Sequence, residues 1–375
     1  MRTISIQRFL LCSWLALLVA PTAKATNGQG GSWITVQVGS CLHYLQSYPT
    51  ISGAVSNVPP DSIILVCPGN YPEQVTISKP LTLRGVEIEN AANPIITVPS
   101  GGLTRSVTAP ANGITMFFQI LVQGTETGQV NISHLAIDGS NNNVAANGWI
   151  AGVYYQNSSG TVKDIATYNQ MGDGLGFGIF LESTTSSLKK VAISTSSIHD
   201  FDAEGIRTNG DANLSVDIRS NSVLISPSPT LQINGIDIYG VGTVADNTIT
   251  TRPGLQGRTG IGIAALSGLT VSNNTIAGMV IGIWPLGNSN VVLWNKVSLA
   301  DDGIVVTGND NDVEHNFLMN FSGGDGVSLS CTSTGNTVSY NLINDSDSGI
   351  TGSPANNTIT GNSFSNVMRL VLPPC

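Results

Sequence analysis

A short pattern of apolar and polar positions recurs seven times between Ile218 and Phe364. Each copy has Val or Ile, two variable residues, Asn, one variable residue and a second apolar residue. The central asparagines are Asn221, Asn247, Asn274, Asn295, Asn316, Asn341 and Asn362. Successive copies lie 21 to 27 residues apart. Constant segments joined by spacers of variable length are typical of a solenoid, in which each repeat packs on its neighbours.

A second pattern, Gly followed by Ile or Val, falls once between successive copies, for example at Gly235-Ile236 and Gly303-Ile304. Each unit therefore contains two or three short apolar strands separated by Asn, Gly, Asp and Ser, which favour tight turns. The units lack helical periodicity, so the sequence predicts an all-β fold built from the coils of a parallel β-helix. Stacked coils would place the recurring asparagines above one another, where their side chains can form a hydrogen-bonded ladder.

A short amphipathic helix is expected before the first complete coils. Between Tyr48 and Val58, the apolar residues Ile51, Ala54, Val55 and Val58 recur at helical spacing. Because the last coil of a solenoid exposes the core, terminal units are usually covered. We therefore expect this helix to cap the N-terminal end of the solenoid.

Residues 1–25 have the features of a secretory signal peptide. Arg2 and Arg8 accompany a short apolar run, and Ala23-Lys24-Ala25 supplies small residues for cleavage. The apolar run is shorter than the ~20 residues that a transmembrane helix needs. The sequence thus predicts an exported protein, periplasmic or extracellular, without a membrane span. The β-helix domain is expected over residues 32–366, followed by a tail over residues 367–375.

Export would bring the cysteines into an oxidising compartment, where disulfides persist. Four cysteines lie outside the signal peptide, and they permit three pairings. Their order along the chain favours Cys41–Cys67 and Cys331–Cys375, with one bridge near each end of the solenoid and the second holding the tail. No C-x-x-C spacing supports a metal site.

Charge and composition narrow the choice of partner. The chain has 24 acidic and 15 basic residues, a net charge of −9, and only 10% of its residues are charged. An acidic surface of this kind opposes binding to nucleic acid or to anionic lipid. The abundance of Gly, Ser, Thr and Asn gives a neutral polar surface that suits hydroxyl-rich ligands such as glycans. The sequence gives no oligomeric state.

The segment from Thr50 to Gly85 resembles the opening module of pectin-lyase-like right-handed β-helix proteins. The similarity lies in Thr50-Ile51, Ala54-Val55 and Val58-Pro59, then in Ile64-Leu65-Val66-x-Pro68-Gly69-x-Tyr71-x-Glu73-x-Val75-x-Ile77 and Leu81-Thr-Leu83-x-Gly85. The later units at Asn290, Asn311, Asn336 and Asn357 resemble the repeats of NosD-like proteins. The resemblance implies a single-stranded right-handed parallel β-helix. It does not select an activity, because this superfamily includes lyases, polygalacturonases, pectin methylesterases and NosD-like accessory proteins.

The active-site motifs of these families are mostly absent. Asp301-Asp302 matches one polygalacturonase motif, but no G-H-G or R-I-K follows, and the motifs of pectin methylesterases do not occur. Gly323-Gly-Asp-Gly326 is similar to a calcium-binding nonapeptide, yet a single copy gives no calcium site. The four histidines are scattered along the chain. We therefore predict no metal and no organic cofactor, with calcium left as an alternative that no motif supports.

Aligning the units on the Gly-Ile pattern gives one column with several carboxylates. It contains Glu204, Asn234, Thr259, Ile281, Asp302, Asp325 and Ser348. Asp302 and Asp325 would lie on adjacent coils about 5 Å apart, the separation of the two carboxyls in a retaining glycosidase. Asp before Gly is common in turns, and a turn role for both residues is the interpretation that we prefer. This pair is the secondary carboxylate candidate.

Strand alternation predicts an outward face where aromatic and charged residues meet. Residues one and three positions after the inward Ile should face solvent together. The candidates for binding a sugar are Tyr154, Phe180, Asn209, Tyr239 and Trp284, and the candidates for catalysis are Arg207, Asp237 and Glu182. Aromatic rings stack on sugars, and charged or amide groups bind hydroxyls. In a lyase or epimerase, Arg207 would remove the proton alpha to a uronate carboxyl. Alternatively, Arg207 pairs with Glu182 or Asp237 as cross-strand charges.

These observations lead to two hypotheses of function. In the first, an exported β-helix protein contacts extracellular or cell-wall polysaccharide without a defined activity, as a glycan-binding, structural or NosD-like accessory protein. In the second, it is a carbohydrate-active enzyme, namely a polysaccharide lyase, glycoside hydrolase or epimerase. The absent family motifs favour the first, and the outward aromatic and charged residues fit both.

Overall fold

The computed structural model describes residues 32–125, 128–144, 148–226, 232–252, 260–321, 323–352 and 356–371. The expected signal peptide lies outside these residues. Within them, no helix has the length and apolar character required to span a membrane. The strands stack in parallel from coil to coil, which gives three long faces that we name A, B and C.

Face A is one parallel sheet. In chain order its strands are Thr35–Val38, Ser47–Tyr48, Ser62–Val66, Leu81–Gly85, Gln129–Ser133, Ser159–Lys163, Lys189–Ser194, Leu214–Arg219, Val241–Ala245, Leu269–Ser272, Val291–Leu293, Asp312–Glu314, Thr337–Ser339 and Thr358–Thr360.

Faces B and C belong to a second sheet that bends at a corner. The strands of face B are Asn70–Pro72, Ile95–Thr97, Ala136–Asp138, Ala166–Tyr168, Ser197–His199, Ser222–Ile225, Thr248–Thr251, Thr275–Ala277, Lys296–Ser298 and Phe317–Met319. The strands of face C are Val75–Ile77, Thr115–Gln123, Trp149–Gln156, Gly176–Glu182, Glu204–Asn209, Asn234–Ile238, Ile261–Ala265, Ile281–Pro285, Asp302–Val306 and Asp325–Leu329. Leu342–Thr351 and Ser363–Val371 run along both faces, so the sheet continues past residue 366.

The recurring apolar positions form the core inside the coils. On face A, for example, Ile218, Val244, Val271 and Val292 are paired in register and are completely buried. Each added coil therefore removes another layer of aliphatic side chains from water, which is the main stabilising contribution in this fold. The predicted strand arrangement is confirmed.

The asparagines of the repeated pattern form the expected ladder between faces A and B. The side-chain amide of Asn295, for example, donates to Asn316 Oδ1 at 3.0 Å, and Asn316 donates to Asn341 Oδ1 at 3.0 Å. The ladder runs without a break from Asn221 to Asn362. These buried amides satisfy turn carbonyl and amide groups that would otherwise lack partners.

A second ladder lies at the opposite end of the face A strands. It connects Asn290, Asn311, Asn336 and Asn357 through side-chain hydrogen bonds of 3.0 Å each. Every strand of face A in this region is thus flanked by two columns of buried asparagine. The pair of ladders fixes where each strand begins and ends, even though the spacers differ in length.

The N-terminal end is capped as expected. A helix spans Ile51–Asn57, and Thr50 Oγ1 accepts a hydrogen bond from the Gly53 amide at its N-terminus. The helix buries Ile51, Ala54 and Val55 against the first coils. Glu73 anchors the helix because its carboxylate accepts from the Ile51 and Ser52 amides at 2.8 and 2.9 Å.

The first predicted disulfide is present between Cys41 and Cys67, whose Cα atoms lie 5.7 Å apart. It joins the first face A strand region to the end of the next coil. Cys331 is also disulfide-bonded. Cys375 lies outside the described residues, so the Cys331–Cys375 bridge stays a prediction.

Candidate functional site

Four side chains that could take part in binding or catalysis meet on the outer surface of face C. Arg207 Nη1 contacts Glu204 Oε1 at 2.6 Å and Asp237 Oδ2 at 3.1 Å. The guanidinium carbon of Arg207 lies 5.1 Å from the centre of the Tyr239 ring, a cation–π arrangement. Both carboxyl groups are nearly buried, whereas Arg207 and Tyr239 are only partly covered. We name Glu204, Arg207, Asp237 and Tyr239 the face C cluster.

A column of glycines explains why Glu204 and Arg207 meet although three positions separate them in one strand. A Cβ on Gly205 would lie 2.8 Å from the carbonyl oxygen of Gly235 and 2.7 Å from the Val223 side chain. The backbone of neighbouring coils therefore approaches too closely for any side chain there. The register skips from Glu204 to Ile206, so Ile206 lies in the core while the side chains of Glu204 and Arg207 lie together on the outer side of the sheet.

Burial changes the protonation of the two carboxyl groups. Loss of solvent contact and the nearby Asp237 raise the pKa of Glu204 to about 8, against the opposing charge of Arg207. Burial also raises the pKa of Asp237, again opposed by Arg207. Both shifts favour one proton shared by the Glu204 and Asp237 pair over two separate negative charges.

Two polar atoms of the face C cluster are buried without a hydrogen-bond partner in the part of the chain that the structure describes. Glu204 Oε2 and Arg207 Nε are buried and have no hydrogen-bond partner among the described residues. A buried polar atom without a partner costs free energy, so each of these atoms needs a partner that the described side chains do not supply. The cluster thus offers one acceptor or donor on a carboxyl group and one donor on a guanidinium.

Aromatic side chains form the wall of the cluster towards the N-terminus. Phe177 pairs with Glu204 and Phe180 pairs with Arg207 in the neighbouring strand. Trp149 packs on Phe177 with a ring separation of 5.1 Å. This apolar wall keeps water from one side of Glu204, which accounts for its raised pKa.

On the C-terminal side of the cluster, the outward column of face C continues onto the next coils. The register continues from Asp237 to Ala264 and then to Trp284. Trp284 is partly exposed, and its indole nitrogen donates to Thr307 Oγ1 at 3.0 Å. The small, buried Ala264 lies between Asp237 and Trp284 in this column.

The exposure predicted for Tyr154 and Phe180 is wrong. Both project outwards from face C, in the predicted column, but both are completely buried. The segment between Thr97 and Thr115 crosses over face C, and its strand Ser106–Thr108 pairs antiparallel with Thr115–Gln123. Under this covering segment lies a second apolar cluster that includes both rings. Neither residue can therefore stack directly on a sugar.

Glu182 has a structural position in place of the predicted catalytic one. It is buried, it accepts from the Ala111 amide at 2.8 Å, and it binds the hydroxyl of Tyr154. Burial raises its pKa, although these two hydrogen bonds act in the opposite direction. Glu182 thus fastens the tip of the covering segment, and Arg207 pairs with Glu204 and Asp237. Asn209 lies beside Glu182 in register and is partly exposed.

The role of Arg207 as a proton acceptor does not fit this site. Burial alone would lower the pKa of Arg207, but Glu204 and Asp237 raise it above its ordinary value. A guanidinium with a raised pKa holds its proton more tightly, so it cannot act as a base near neutral pH. Its geometry suits orientation and charge compensation of the two carboxyl groups.

The secondary carboxylates are adjacent as expected. Asp302 Oδ1 accepts from the Asp325 amide at 3.0 Å, and Asp325 Oδ2 accepts from Thr351 Oγ1 at 2.6 Å. Burial and the charge of Asp325 raise the pKa of Asp302, against the hydrogen bond from the Asp325 amide. These contacts support the turn role that we preferred from the sequence.

Two parts of the site were missed from the sequence. Glu204 was aligned in the carboxylate column, but strict alternation places it away from Arg207, and only the break at Gly205 brings the two together. Trp149 lies before its Gly-Ile pattern and so fell outside both predicted columns. One repeat was also aligned incorrectly in the sequence analysis. Gly262-Ile263, and not Gly260-Ile261, continues the glycine column.

Sequence comparison gives one family match. Residues 214–370 match the model of the family described as "Periplasmic copper-binding protein (NosD)". This match includes Asp237 and Tyr239 of the face C cluster but begins after Glu204 and Arg207, and it extends into the last strand. No curated protein sequence matches the chain significantly.

Solved structures share the fold over most of the chain. The A-module of mannuronan C-5 epimerase AlgE6 from Azotobacter vinelandii superposes with a TM-score of 0.52 and 13% identity, covering 86% of this chain and 93% of the module. The AlgE4 A-module gives 0.51 and 12% identity, with 86% and 90% covered. DFA-IIIase from Arthrobacter chlorophenolicus without its lid gives 0.50 and 16% identity, with 80% and 88% covered. This chain has the fold of a right-handed parallel β-helix, and at these identities the likeness to the solved structures concerns the fold alone.

Proposed function

We propose that the protein is an extracytoplasmic carbohydrate-active β-helix protein that cleaves a glycosidic bond at the face C cluster. One observation carries the proposal, namely that the carboxyl group of Glu204, whose pKa is raised to about 8, and a second carboxyl group, that of Asp237, contact the same guanidinium nitrogen. A pair of carboxyl groups with different protonation is what glycoside cleavage requires. The structural relatives support a saccharide ligand, because the names of two of them specify mannuronan and that of the third specifies DFA-III.

In this proposal, Glu204 donates its proton to the glycosidic oxygen, and the bond from that oxygen to the anomeric carbon breaks. Asp237 forms the new bond to the anomeric carbon, and water then releases the sugar while Glu204 takes back a proton. Because both oxygens contact the same Arg207 nitrogen, they are less than about 6 Å apart, below the roughly 6.5–9.5 Å between the carboxyls of inverting enzymes. Arg207 holds both groups in place.

The charge of the site favours a neutral glycan over a polyuronate. With Glu204 protonated, the charges of Arg207 and Asp237 cancel, and the chain as a whole carries −9. A polyanionic chain would therefore meet repulsion without a compensating excess of positive charge at the cluster. Trp284 and Tyr239 provide partly exposed rings on which an uncharged sugar can stack.

The Cys41–Cys67 disulfide supports location outside the cytoplasm, because reducing conditions in the cytoplasm disfavour structural disulfides. The NosD family description, which names a periplasmic protein, agrees with this location. The predicted signal peptide would provide the export route. Secretion and cleavage of that peptide are part of the proposal.

Purified mature protein should be tested on a panel of neutral and acidic polysaccharides, with new reducing ends and unsaturated products measured separately. We expect reducing ends without unsaturation from a neutral polymer. Glu204→Gln and Asp237→Asn should each reduce turnover by at least about a hundredfold with little effect on affinity. Glu89→Gln, at an exposed carboxylate, is the matched control and should be fully active.

Three results would oppose the proposal. Unsaturated products would indicate a lyase, and activity retained in Glu204→Gln would remove that residue from the chemistry. Binding without turnover would show a non-catalytic glycan-binding protein. In that case Arg207→Ala should weaken affinity alone, and Arg207→Lys should also weaken it because a lysine cannot bridge the two carboxyl groups.

The NosD match raises copper binding as a second function, which the side chains do not fit. Copper sites use His, Cys and Met ligands. In the matched region, His315 is stacked between the rings of Trp294 and Tyr340, and Cys331 is in a disulfide. Across the described residues, no three of His, Cys, Asp or Glu come together as ligands. We therefore derive no copper chemistry for this chain.

A further inference from the structure

We propose that the protein has a separate cleft that binds a neutral saccharide unit, at the corner between faces B and C near the N-terminal end. The cleft has a volume of about 400 Å³. It lies between the residues after Thr97 and the turn after Asp138, which are joined by a 2.8 Å hydrogen bond from the Leu103 amide to the Asn142 carbonyl. Its polar lining consists of Asn70, Thr97, Ser100, Asp138, Ser140, Asn141 and Asn143.

Asp138 is held in a fixed position with one oxygen unused. Its Oδ1 accepts from the Ser140 amide at 3.0 Å, from Ser140 Oγ at 2.6 Å and from Asn169 Nδ2 at 2.8 Å. Its Oδ2 accepts no hydrogen bond among the described residues. Although burial alone would raise the pKa of Asp138, the bonds from Ser140 and Asn169 lower it, so the group stays ionised. An ionised, immobile oxygen is a strong acceptor for a sugar hydroxyl.

The rest of the lining supplies uncharged donors and acceptors. Asn70 Oδ1 accepts from Thr97 Oγ1 at 2.7 Å, which orients the amide and leaves its Nδ2 donors unused within the described residues. The side chains of Asn141 and Asn143, both in left-handed backbone conformation, are exposed at the rim. Amide and hydroxyl groups that surround one carboxylate match the alternating donors and acceptors of neighbouring sugar hydroxyls.

The charge of the cleft identifies the class of saccharide. Asp138 is the one charged residue among those that line the cleft, and these residues include no Lys or Arg. A uronate or sulfated sugar would place its anion beside an ionised carboxylate, which opposes binding. The cleft therefore suits a neutral sugar, either free or as the end of a longer glycan. This inference needs no chemistry at Glu204, because the cleft shares no residue with the face C cluster.

Calorimetric titration should use neutral monosaccharides and neutral and uronate oligosaccharides, from disaccharide to octasaccharide. We expect at least one neutral saccharide to bind and Asp138→Ala to weaken it about tenfold or more, since a hydrogen bond to a charged group is lost. Asn70→Ala should weaken the binding of the same saccharide, although it leaves the hydrogen bonds that fix Asp138 in place. Asp312→Ala, at an exposed acid on face A, should leave this binding unchanged.

Each other outcome is decisive. If no neutral saccharide binds, or if Asp138→Ala and Asn70→Ala both bind as tightly as the wild type, the cleft is not a saccharide site. If Arg207→Ala removes all binding, the single site is the face C cluster and this inference is wrong. If binding survives Arg207→Ala and turnover is absent, the cleft stands and the proposed function fails. Equal affinity for a monosaccharide and its oligomers would indicate a free sugar as the ligand.

Discussion

The raised pKa of Glu204 makes a quantitative prediction about stability. The ordinary pKa of this side chain is 4.5, and in the folded protein it rises to about 8. Between these values, the folded protein holds a proton that the unfolded chain has released. The free energy of unfolding should therefore fall as pH rises, by at most about 1.4 kcal/mol per pH unit from this one group.

Replacing Glu204 by Gln isolates that contribution, because the amide is neutral at every pH and has nearly the shape of the protonated acid. At pH 5 the wild type and Glu204→Gln should have similar stability. By pH 8.5 the variant should be more stable than the wild type by about 3–5 kcal/mol, the free energy that corresponds to the pKa difference. Other buried carboxyls, such as Asp302, contribute equally to both proteins and cancel in the comparison.

Urea unfolding followed by circular dichroism at several pH values measures this difference, with Glu89→Gln as the control for an exposed site. The control should parallel the wild type throughout. The reasoning would be refuted if the curves of wild type and Glu204→Gln stayed parallel between pH 5 and 8.5. It would equally fail if the variant lost a constant amount of stability at every pH, since that indicates a lost contact and not a shifted proton equilibrium.

Three further predictions concern the frame that holds the site. Asn316→Leu should lower stability by about 3 kcal/mol or more in denaturant unfolding, because the amide bonds to both neighbouring rungs and to two carbonyls; an unchanged midpoint would contradict the ladder. Peptide mapping without reduction should recover a Cys331–Cys375 crosslink, and a free Cys375 thiol would exclude it. Tyr154→Phe should increase hydrogen exchange in residues 106–114 because Glu182 loses a partner, while equal exchange would show that the pair does not hold the covering segment.

The parts of the fold that depend on repetition were predictable from the sequence. The spacing of Asn295 and Asn316 led to the ladder, and the apolar positions before and after them led to the buried strands. The capping helix followed from Ile51, Ala54 and Val55 for the same reason. In each case the signal is local, because every coil contacts its neighbours through the same few positions.

The site depends on features that are not repeated. The covering segment between Thr97 and Thr115 interrupts the pattern once, and no period in the sequence shows that it folds back over Tyr154 and Phe180. The contact between Glu204 and Arg207 requires a break in strand alternation, which follows from the close approach of glycine backbones in three dimensions. Strict alternation therefore predicted the column of Arg207 and Asp237 and the contact between them correctly, but it missed Glu204 as the second partner of Arg207.

The central claim is that Glu204 carries a proton at neutral pH beside Asp237. Carbon-13 labelling of the glutamate side-chain carboxyls, followed by an NMR titration from pH 4 to 10, tests it directly, with the resonance assigned by its loss in Glu204→Gln. The account predicts that the Glu204 signal changes with a midpoint near pH 8, as the pKa of about 8 requires. A midpoint below about 6, close to the ordinary range of glutamate, would contradict the account.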